Sequence, residues 1–321
     1  MNNFIDDNRL KHSIAVARKM QEIKKIHDYD VCKISYYEIH GGNKDFFDWI
    51  DESVSRKKLT VWKRWLFMNI EKNFYEKTAD WDFSMINYTE ENLTNWDLYQ
   101  ELKNSSNLDS TILDLGTGGG EKVLHNFPKV KKIVGTDFSS NMIETAKNNL
   151  QKSGKSYIEF KVMDNLNMDT PDDYFDIVVA RHTVISAKQI YKTLKKGGKL
   201  LLRGVDKLDC WQLKLLFQKG QAFNDPKPIS LIDYENIISA GFKKVELIPI
   251  HIREYYKTKE DLLALLLKTP ILSDFSEIEK NSESVDEIIN IYLLDKYIEE
   301  NMTDKGILLI RRYYGITAVK E

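Results

Sequence analysis

The feature that most constrains the fold of this chain is a cluster of glycines that follows a short apolar segment. Four of the 15 glycines lie within positions 116–120, directly after residues 111–115, whose sequence is TILDL. Glycine lets a backbone turn sharply and approach a ligand closely. When such a loop leads from a strand into a helix, the N–H groups at the helix N-terminus face a carboxylate or phosphate. The pattern therefore predicts a ligand-binding loop between a strand and a helix.

Short apolar segments alternate with helical patterns from residue 110 onward. The predicted strands are 111–115, 132–136, 157–162, 175–180 and 199–203. The predicted helices are 121–126, 139–152, 186–196, 209–222 and 231–240. This alternation indicates an α/β fold with a doubly wound parallel sheet and helices on both faces. Two more strands, 243–250 and 306–319, are expected to pair antiparallel, with helical segments inserted between them.

Three aspartates stand at the ends of successive predicted strands: Asp114, Asp137 and Asp164. The carboxylate of Asp137 can accept hydrogen bonds from both hydroxyls of a ribose. The carboxylate of Asp164 can accept a hydrogen bond from the amino group of an adenine. A dinucleotide-binding loop requires G-x-G-x-x-G, but its sixth position here is Glu121. The alternative pattern D-x-G-x-G-x-G is complete, with Asp114 followed by glycines at 116, 118 and 120. A doubly wound domain that binds another nucleotide is the competing interpretation.

With these motifs the sequence resembles the class I S-adenosylmethionine (SAM)-dependent methyltransferases over about 75–321. The resemblance consists of DLGTGGGE, VGTDFS, the aspartate after strand three, YFDIVVARH, LKKGGKLLL and SAGFKKVEL in that order. It implies a Rossmann-like, doubly wound, seven-stranded sheet whose last strand, 306–319, is antiparallel. It also implies SAM as the cofactor. The helical segment at about 252–303 lies where this family builds a substrate lid, and we expect a helical cap there.

The resemblance implies a set of cofactor-binding residues. Those near the methionyl part of SAM would be Asp114, Gly116, Thr117 and Gly118. Those near the ribose and the adenine would be Asp137, Phe138, Met142, Asp164 and Asn165. Arg181, at the end of strand four, completes the set, although it could instead contact an anionic substrate or only the sheet edge. No metal site is predicted, because the two cysteines, Cys32 and Cys210, are far apart in the sequence.

The fourth strand should end beside the transferred methyl group, and the sequence there is ARHT. It lacks the Asn/Asp-Pro-Pro-Tyr motif that is common in enzymes methylating nucleobase amines, and Cys210 lacks any motif of a cytosine-attacking nucleophile. His182 is the candidate general base, because an imidazole ordinarily titrates near neutral pH. The alternative is that His182 only packs beside the cofactor. Methyl transfer also depends on holding donor and acceptor in line, which requires no conspicuous catalytic group.

Residues 1–75 are expected to form a small helical extension that precedes the methyltransferase domain at 76–321. Within this extension the segment 56–65 interleaves basic residues with two tryptophans. This pattern suits RNA binding, but it equally suits a helix with one buried apolar face. Residues 73–109 are interpreted as a lead-in to the sheet. The formal net charge of −2 argues neither for nor against a nucleic-acid partner.

These observations predict an enzyme that transfers the methyl group of SAM by in-line displacement to an oxygen or nitrogen of a small molecule. Two alternatives stay open: an RNA methyltransferase that uses the 56–65 segment, and a SAM-binding protein without turnover. The two distant cysteines are typical of a reducing cytoplasm. The N-terminal residues lack the apolar core of a signal peptide, and the longest apolar run, 262–267, is too short to cross a membrane. A cytoplasmic location is therefore expected.

Overall fold

A computed structural model describes residues 85–272 and 285–321 of the chain. The expectations for the helical extension 1–75 and for the segment 56–65 lie outside the described residues. The described part forms nine strands and eight helices. The strands are β1 (Tyr88–Asn92), β2 (Thr111–Leu115), β3 (Lys132–Asp137), β4 (Ile158–Val162), β5 (Phe175–Arg181), β6 (Leu194–Val205), β7 (Lys243–Tyr256), β8 (Met302–Thr303) and β9 (Gly306–Val319). The helices are α1 (Leu98–Ser105), α2 (Glu121–Asn126), α3 (Ser140–Ser153), α4 (Ala187–Thr193), α5 (Trp211–Phe217), α6 (Ile229–Ser239), α7 (Lys259–Lys268) and α8 (Val285–Asn301).

All nine strands belong to one sheet of order β1-β7-β9-β6-β5-β2-β3-β4, with β8 paired to β9. Strands β4, β3, β2, β5 and β6 are parallel, and β9 runs antiparallel between β6 and β7. The predicted doubly wound sheet with an antiparallel last strand is therefore confirmed. The predicted number of seven strands is too low, because β1 adds an edge strand and β8 forms a short hairpin with β9.

The parallel strands are buried on both faces because alternate residues point to opposite sides of the sheet. One face packs Ile112, Ile133 and Ile177 against helices α1, α2 and α3. The other packs Leu113 and Val178, together with their neighbours, against helices α4 and α6. Strand β2 is buried along its whole length, which explains why its sequence is apolar without alternation. The strand order reverses between β2 and β5, and in such sheets ligands bind outside the carboxyl ends of the strands at that point.

The interpretation of residues 73–109 as a lead-in is wrong for its described part, which contains β1 and α1. Strand β1 has the polar sequence YTEEN and pairs antiparallel with the last five residues of β7, Tyr88 with Tyr256 and Asn92 with Ile252. Such a strand is stabilised by its long-range partner and carries no apolar alternation of its own. The chain therefore contributes an edge strand before it enters the glycine loop.

Strands β7 and β9 are much longer than the parallel strands, with 14 residues each. Strand β7 continues to Tyr256, six residues past the predicted end at 250, so the inserted helical block starts at Lys259 and not at 252. We call the paired segments 252–256, 306–311 and β1 the β-extension. Helices α7 and α8 form the cap, and its Leu262, Leu266 and Tyr297 pack on the β-extension.

A buried ion-pair network holds the β-extension together. The guanidinium of Arg311 on β9 binds the carboxylate of Asp209 through Nε and Nη2, at 3.0 and 3.1 Å. Its Nη1 binds Glu254 on β7 at 3.0 Å, and the Tyr256 hydroxyl donates to the same carboxylate. Asp209 also accepts the Arg312 N–H at 2.8 Å. Strands β7 and β9 and the turn before α5 therefore share one fully paired cation.

Candidate active site

The glycine loop leaves β2 at the point where the sheet order reverses. The N–H groups of Gly116 and Thr117 both donate to the carbonyl of Thr136 on β3, at 2.8 and 2.9 Å. Gly116, Gly118 and Gly120 have positive φ angles of 75°, 57° and 79°. This left-handed conformation is accessible to glycine without the steric cost that other residues bear. The D-x-G-x-G-x-G pattern therefore encodes a loop whose alternate residues all require glycine.

The surroundings of these glycines differ in a way that bears on ligand binding. A Cβ atom on Gly120 would lie 2.7 Å from Phe160, and one on Gly116 would lie 2.7 Å from Thr183. Both glycines therefore permit close packing within the protein. A Cβ atom on Gly118 would meet nothing within 4 Å. The loop backbone at Gly118 thus borders open space, as a cofactor-binding backbone should.

Asp137 joins the loop to the end of β3. Its Oδ2 accepts the N–H of Gly118 at 3.0 Å, and its Oδ1 accepts the N–H of Ser139 at 3.0 Å. Burial raises the pKa of Asp137, while the N–H donors of Ser139, Gly118 and Phe138 act in the opposite direction. Each carboxylate oxygen keeps a second lone pair, so two ribose hydroxyls can still donate to it.

Asp114 is buried at the carboxyl end of β2, with 6% of its surface exposed. Burial raises its pKa to about 7, although Thr117 and the positive charge of Arg181 act in the opposite direction. A cation placed beside this carboxyl group would restore its ionised form. The methionyl ammonium of SAM is such a cation, so the carboxyl group fits the cofactor that the motif implies.

The residues predicted to surround the adenine follow β3 and β4. Phe138 is 39% exposed, which is unusual for a phenylalanine, whereas Met142 at the start of α3 is buried. Asp164 is exposed, and its Oδ1 accepts the N–H of Leu166 at 2.9 Å. Asn165 is buried and donates through Nδ2 to Thr183, but its Oδ1 has no hydrogen-bond partner among the described residues. This oxygen could accept a hydrogen bond from a ligand.

His182 follows Arg181 at the carboxyl end of β5, with a φ angle of 51°. The backbone N–H of His182 donates to the backbone carbonyl of Arg203 at 2.8 Å, and its imidazole ring stacks on Tyr313 with a centroid distance of 5.3 Å. Burial lowers the pKa of His182 well below 6.5, and the charges of Arg181 and Arg203 lower it further. The sequence argument that this imidazole titrates near neutral pH is therefore wrong. Its Nε2 is buried and has no hydrogen-bond partner.

Several further residues of this region were missed by the sequence analysis. Arg203 on β6 is the register partner of Arg181, and its guanidinium lies 4.4 Å from the centroid of the Tyr313 ring. A Cβ atom on Gly315, which pairs with Arg203, would lie 2.7 Å from the Trp96 indole. Buried side-chain atoms without a hydrogen-bond partner include Trp96 Nε1, Tyr99 Oη, Asn165 Oδ1, Arg181 Nε, His182 Nε2 and Arg203 Nε.

These atoms come from elements far apart in the sequence, yet they meet beside the carboxyl ends of β5 and β6. The positive charges of Arg181 and Arg203 both act on Tyr99 and on His182. Buried polar groups in native proteins are normally paired with protein or water. Among the described residues, the unpartnered groups in this region are available to bind a polar ligand. The signal in the sequence is Arg203 itself, a charged residue at the carboxyl end of an otherwise apolar segment, LLLRGV.

Among residues 85–272 and 285–321, no three or more His, Cys, Asp or Glu side chains are grouped so that they could bind a metal ion. None of the helices in these ranges has the length and hydropathy needed to span a membrane.

Comparison with known proteins identifies the domain that carries this site. Residues 106–245 match the family model described as a methyltransferase domain. The chain is 29% identical over 98 residues to the uncharacterized methyltransferase YcgJ of Bacillus subtilis (strain 168), covering 28% of this chain and 39% of YcgJ. It is 24% identical over 188 residues to the phosphoethanolamine N-methyltransferase of Plasmodium falciparum (isolate 3D7), covering 52% of this chain and 70% of that protein. The crystal structure of the YcgJ protein is similar at a TM-score of 0.42 and 19% identity, covering 70% of this chain and 97% of that one.

The chain thus spans about two fifths of YcgJ. The matched segment 106–245 runs from the end of α1 to the start of β7. It includes the glycine loop, Asp137 and the carboxyl ends of the parallel strands. The D-x-G-x-G-x-G loop lies within this segment. Residues 106–245 therefore form a methyltransferase domain.

Proposed function

We propose that this protein catalyses transfer of the SAM methyl group to an oxygen or nitrogen nucleophile of a small molecule by in-line displacement. The observation that carries the proposal is the convergence of unpartnered buried polar groups beside the glycine loop and Asp137. The glycine loop and the aspartates account for a cofactor. Arg203 lies on β6, two strands from β2 in the sheet order, and Trp96 packs on Gly315 of the next strand, β9. A second reactant would bind at this part of the sheet edge.

SAM, when bound, supplies a methyl group that is electrophilic because it is attached to a sulfonium. The residues of this chain bind and orient the reactants. Asp137 and the Gly118 backbone would hold the ribose, Phe138 and Met142 would contact the adenine, and Asp114 would face the methionyl ammonium. Holding donor and acceptor in line can supply about 7–11 kcal/mol of a barrier of this kind.

His182 is the chain's candidate for accepting a proton from the acceptor. With its pKa well below 6.5, its imidazole is neutral at neutral pH, so it has a free lone pair to offer. The same low pKa makes it a weak base, which suits an acceptor that loses its proton only as the new bond forms. The stacking of His182 on Tyr313 fixes the direction of its ring. A role in orienting the acceptor is the alternative.

Two observations favour a small-molecule acceptor. The segment after β5 lacks the Asn/Asp-Pro-Pro-Tyr motif of nucleobase amine methylation, and the unpartnered polar groups are buried. The similar protein from Plasmodium falciparum is named for a small molecule, phosphoethanolamine. A cytoplasmic location is part of the proposal, because Cys210 is a buried free thiol and free thiols persist in reducing compartments.

The test is incubation of the full chain with methyl-labelled SAM and fractionated cell extract. We expect label in the small-molecule fraction. Label in RNA would favour the alternative of an RNA methyltransferase. Binding of SAM without label in any fraction would favour a SAM-binding protein without turnover. A chain that neither binds SAM nor transfers its methyl group would refute the proposal.

The His182→Ala variant tests the proton-accepting role. We expect the methylation rate to fall by about 10²–10⁴-fold, the usual contribution of general acid–base catalysis. We expect the affinity for S-adenosylhomocysteine (SAH) to stay within about threefold, because His182 faces Tyr313 and not the glycine loop. Single-turnover rates and calorimetric titration with SAH measure the two quantities. A variant with wild-type turnover would remove His182 from catalysis.

A further inference from the structure

Arg203 occupies an environment that is unusual for an arginine. Its side chain lies on Tyr313, and burial lowers the pKa of its guanidinium. Its Nε has no hydrogen-bond partner, and it forms no ion pair with a carboxylate among the residues that the structure describes. Arg203 is half-buried, and leaving a partly desolvated charge without a partner costs free energy. A ligand that pairs with this charge would remove that cost.

Arg311 shows how this fold treats a cation that has a structural role. Its guanidinium lies 5.0 Å from the same Tyr313 ring, but it is paired with both Asp209 and Glu254. The two arginines therefore differ: Arg311 has two carboxylate partners, whereas Arg203 has none among the described residues and its Nε is without a hydrogen-bond partner there.

Two other unpartnered buried groups near Arg203 can donate hydrogen bonds. Trp96 Nε1 is a donor, the Tyr99 hydroxyl can donate or accept, and neither has a partner among the described residues. A third group, His182 Nε2, is the candidate proton acceptor. Trp96 packs on Gly315, the register partner of Arg203, and the Tyr99 hydroxyl is close enough to Arg203 to affect its pKa. An indole N–H can only donate. A set of donors around a guanidinium matches the oxygens of an anion and not a cationic or apolar group.

The position of Arg203 separates it from the cofactor loop. Arg181 lies on β5, next to β2, and its charge acts on the pKa of Asp114. Arg203 lies on β6, one strand further, or about 4.8 Å away across the sheet. The geometry therefore divides the two arginines, with Arg181 beside the cofactor residues and Arg203 on the side of the acceptor.

We propose that Arg203, with Trp96 Nε1 and the Tyr99 hydroxyl, binds an anionic oxygen group of the methyl acceptor, either a carboxylate or a phosphate. This inference rests on the proposed methyltransferase function and names the acceptor's chemical class. A guanidinium presents parallel N–H groups that match the spacing of two oxygens in either anion. Arg203 thus sets specificity and binds the end of the acceptor that does not react.

The first test measures anion binding to the full chain saturated with SAH. The thermal midpoint is followed during titration with inorganic phosphate and with acetate, each compared with chloride at equal ionic strength. We expect phosphate or acetate to raise the midpoint of the wild type, and the apparent Kd for that anion to rise at least about tenfold in Arg203→Met. Because phosphate also stabilises proteins without binding a site, the difference between variants is the measured quantity.

Arg253→Met is the matched control, since Arg253 lies on β7 in an exposed pair with Glu91. It should keep the wild-type response to anions. Without ligand, the thermal midpoint of Arg203→Met should lie at most about 2 °C below that of the wild type. Removing a charge without a carboxylate partner offsets the lost contact with Tyr313. Should Arg203→Met fail to fold, Arg203→Lys keeps the charge without the paired N–H groups and should still weaken anion binding.

The second test uses the acceptor activity of the extract, which needs no prior identification of the acceptor. Small molecules are separated on an anion-exchange resin at neutral pH and assayed with labelled SAM. We expect the acceptor to be retained, and treatment with phosphatase to abolish acceptor activity for a phosphate but not for a carboxylate.

The outcomes separate this inference from the function on which it rests. No SAH binding by the wild type would contradict the proposed function and the inference together. With SAH bound, an absent anion response, an equal response in Arg203→Met, or acceptor activity in the unretained fraction would each overturn the inference alone. Label in RNA would contradict both the small-molecule acceptor of the proposed function and the inference. Retention of the acceptor on the resin together with a weakened response in Arg203→Met would support it.

Discussion

At the scale of single residues, the buried carboxyl group of Asp114 lowers the stability of the folded protein when it is ionised, and a bound cation would offset this loss. Burial raises the pKa of Asp114 to about 7, well above the ordinary value of an aspartate carboxyl group. Below pH 4 the carboxyl group is protonated in both the folded and the unfolded protein and contributes nothing. Between pH 4 and 7 the folded state binds more protons than the unfolded state, so stability falls as the pH rises. Above pH 7 the cost is constant.

This sign gives a testable difference between the wild type and Asp114→Asn, measured without ligand. The two should be similar at pH 4, and the variant should become more stable as the pH rises, by roughly 4 kcal/mol at pH 8. Urea unfolding at several pH values measures the difference. The variant should also bind SAH more weakly, because an amide cannot pair with the methionyl ammonium. A difference in stability that does not change with pH would contradict this account of Asp114.

Some residues of the site belong to a recognisable sequence motif. Others reach the site only because strands that are distant in the sequence pair with each other. Asp114 and Asp137 end strands that are adjacent to the glycine loop in the sequence, so their placement could be predicted. Arg203 and Tyr313 meet because β9 returns antiparallel beside β6, with Val205 opposite Tyr313. Nothing local to either residue indicates that pairing. The low pKa of His182 likewise depends on Arg203, a neighbour supplied by another strand.

At the scale of elements, the glycine loop provides a matched pair of substitutions. Gly118 and Gly154 have positive φ angles of 57° and 66°, and a Cβ atom on either would meet nothing within 4 Å. Alanine at either position should therefore cost about 1–2 kcal/mol of stability through the backbone conformation. Gly154 ends α3, whereas Gly118 donates to Asp137 beside the open space of the loop.

We expect the two variants to differ in cofactor binding. Gly118→Ala should weaken SAH binding at least about tenfold, because its methyl group enters the space beside the loop, whereas Gly154→Ala should bind like the wild type. Calorimetric titration with SAH, together with thermal unfolding of both variants, measures the effects. Equal SAH affinities in the two variants would show that the Gly118 backbone does not border the cofactor.

The ion-pair network of the β-extension belongs to the same scale, because it joins two strands and the turn before α5. Arg311→Met would leave Asp209 and Glu254 buried without their cation. Removing one partner of a buried network costs about 3–5 kcal/mol, and we expect a loss of that size in the free energy of unfolding. Lys259→Met, which breaks the more exposed pair with Asp295, should cost under about 1 kcal/mol. Similar losses in both variants would mean that the network does not hold the β-extension.

The boundaries of helices and strands were predicted best where residues close in the sequence determine them. Strand β2 and helix α2 coincide with the predicted 111–115 and 121–126, and β3 and β5 extend one residue further than predicted. Helix α5 is shorter than the predicted 209–222, because Cys210 and Gln218 at its two ends adopt positive φ angles. Strand β6 begins at Leu194 instead of 199, since Gly197 and Gly198 pair with Lys320 beyond the end of β9. That partner is more than a hundred residues away in the sequence.

At the scale of the whole molecule, the order of strands and helices was predictable because β2, β3 and β5 are each followed by a helix that returns the chain to the sheet for the next parallel strand. The antiparallel last strand followed from the family resemblance. The β-extension could be predicted neither from the alternation of strands and helices nor from the family resemblance, since it depends on the unusual length of β7 and β9 and on pairing with β1. The strands that go beyond the predicted seven-stranded sheet thus lie on the side of β6 and Arg203, where the acceptor is proposed to bind.

The cofactor preference of the molecule can be measured through its stability. A ligand that binds only the folded state at 100 times its Kd stabilises that state by about 2.7 kcal/mol. We therefore expect SAH at that concentration to raise the thermal midpoint by several degrees, and NAD at equal concentration to leave it unchanged. Thermal unfolding of the full chain measures both. Stabilisation by NAD and not by SAH would contradict SAM binding and would support the interpretation of the glycine loop as a dinucleotide-binding loop.

Asp137 decides whether such a shift comes from the predicted site. Its carboxylate accepts the N–H of Gly118 and has lone pairs left for the ribose, so Asp137→Ala should cost about 1.5–3 kcal/mol of SAH binding, as the loss of a hydrogen bond to a charged group does. Asp137→Asn keeps one acceptor oxygen and should lose less. A thermal shift with SAH that is the same in Asp137→Ala as in the wild type would place the cofactor away from β3 and contradict the assigned ribose site.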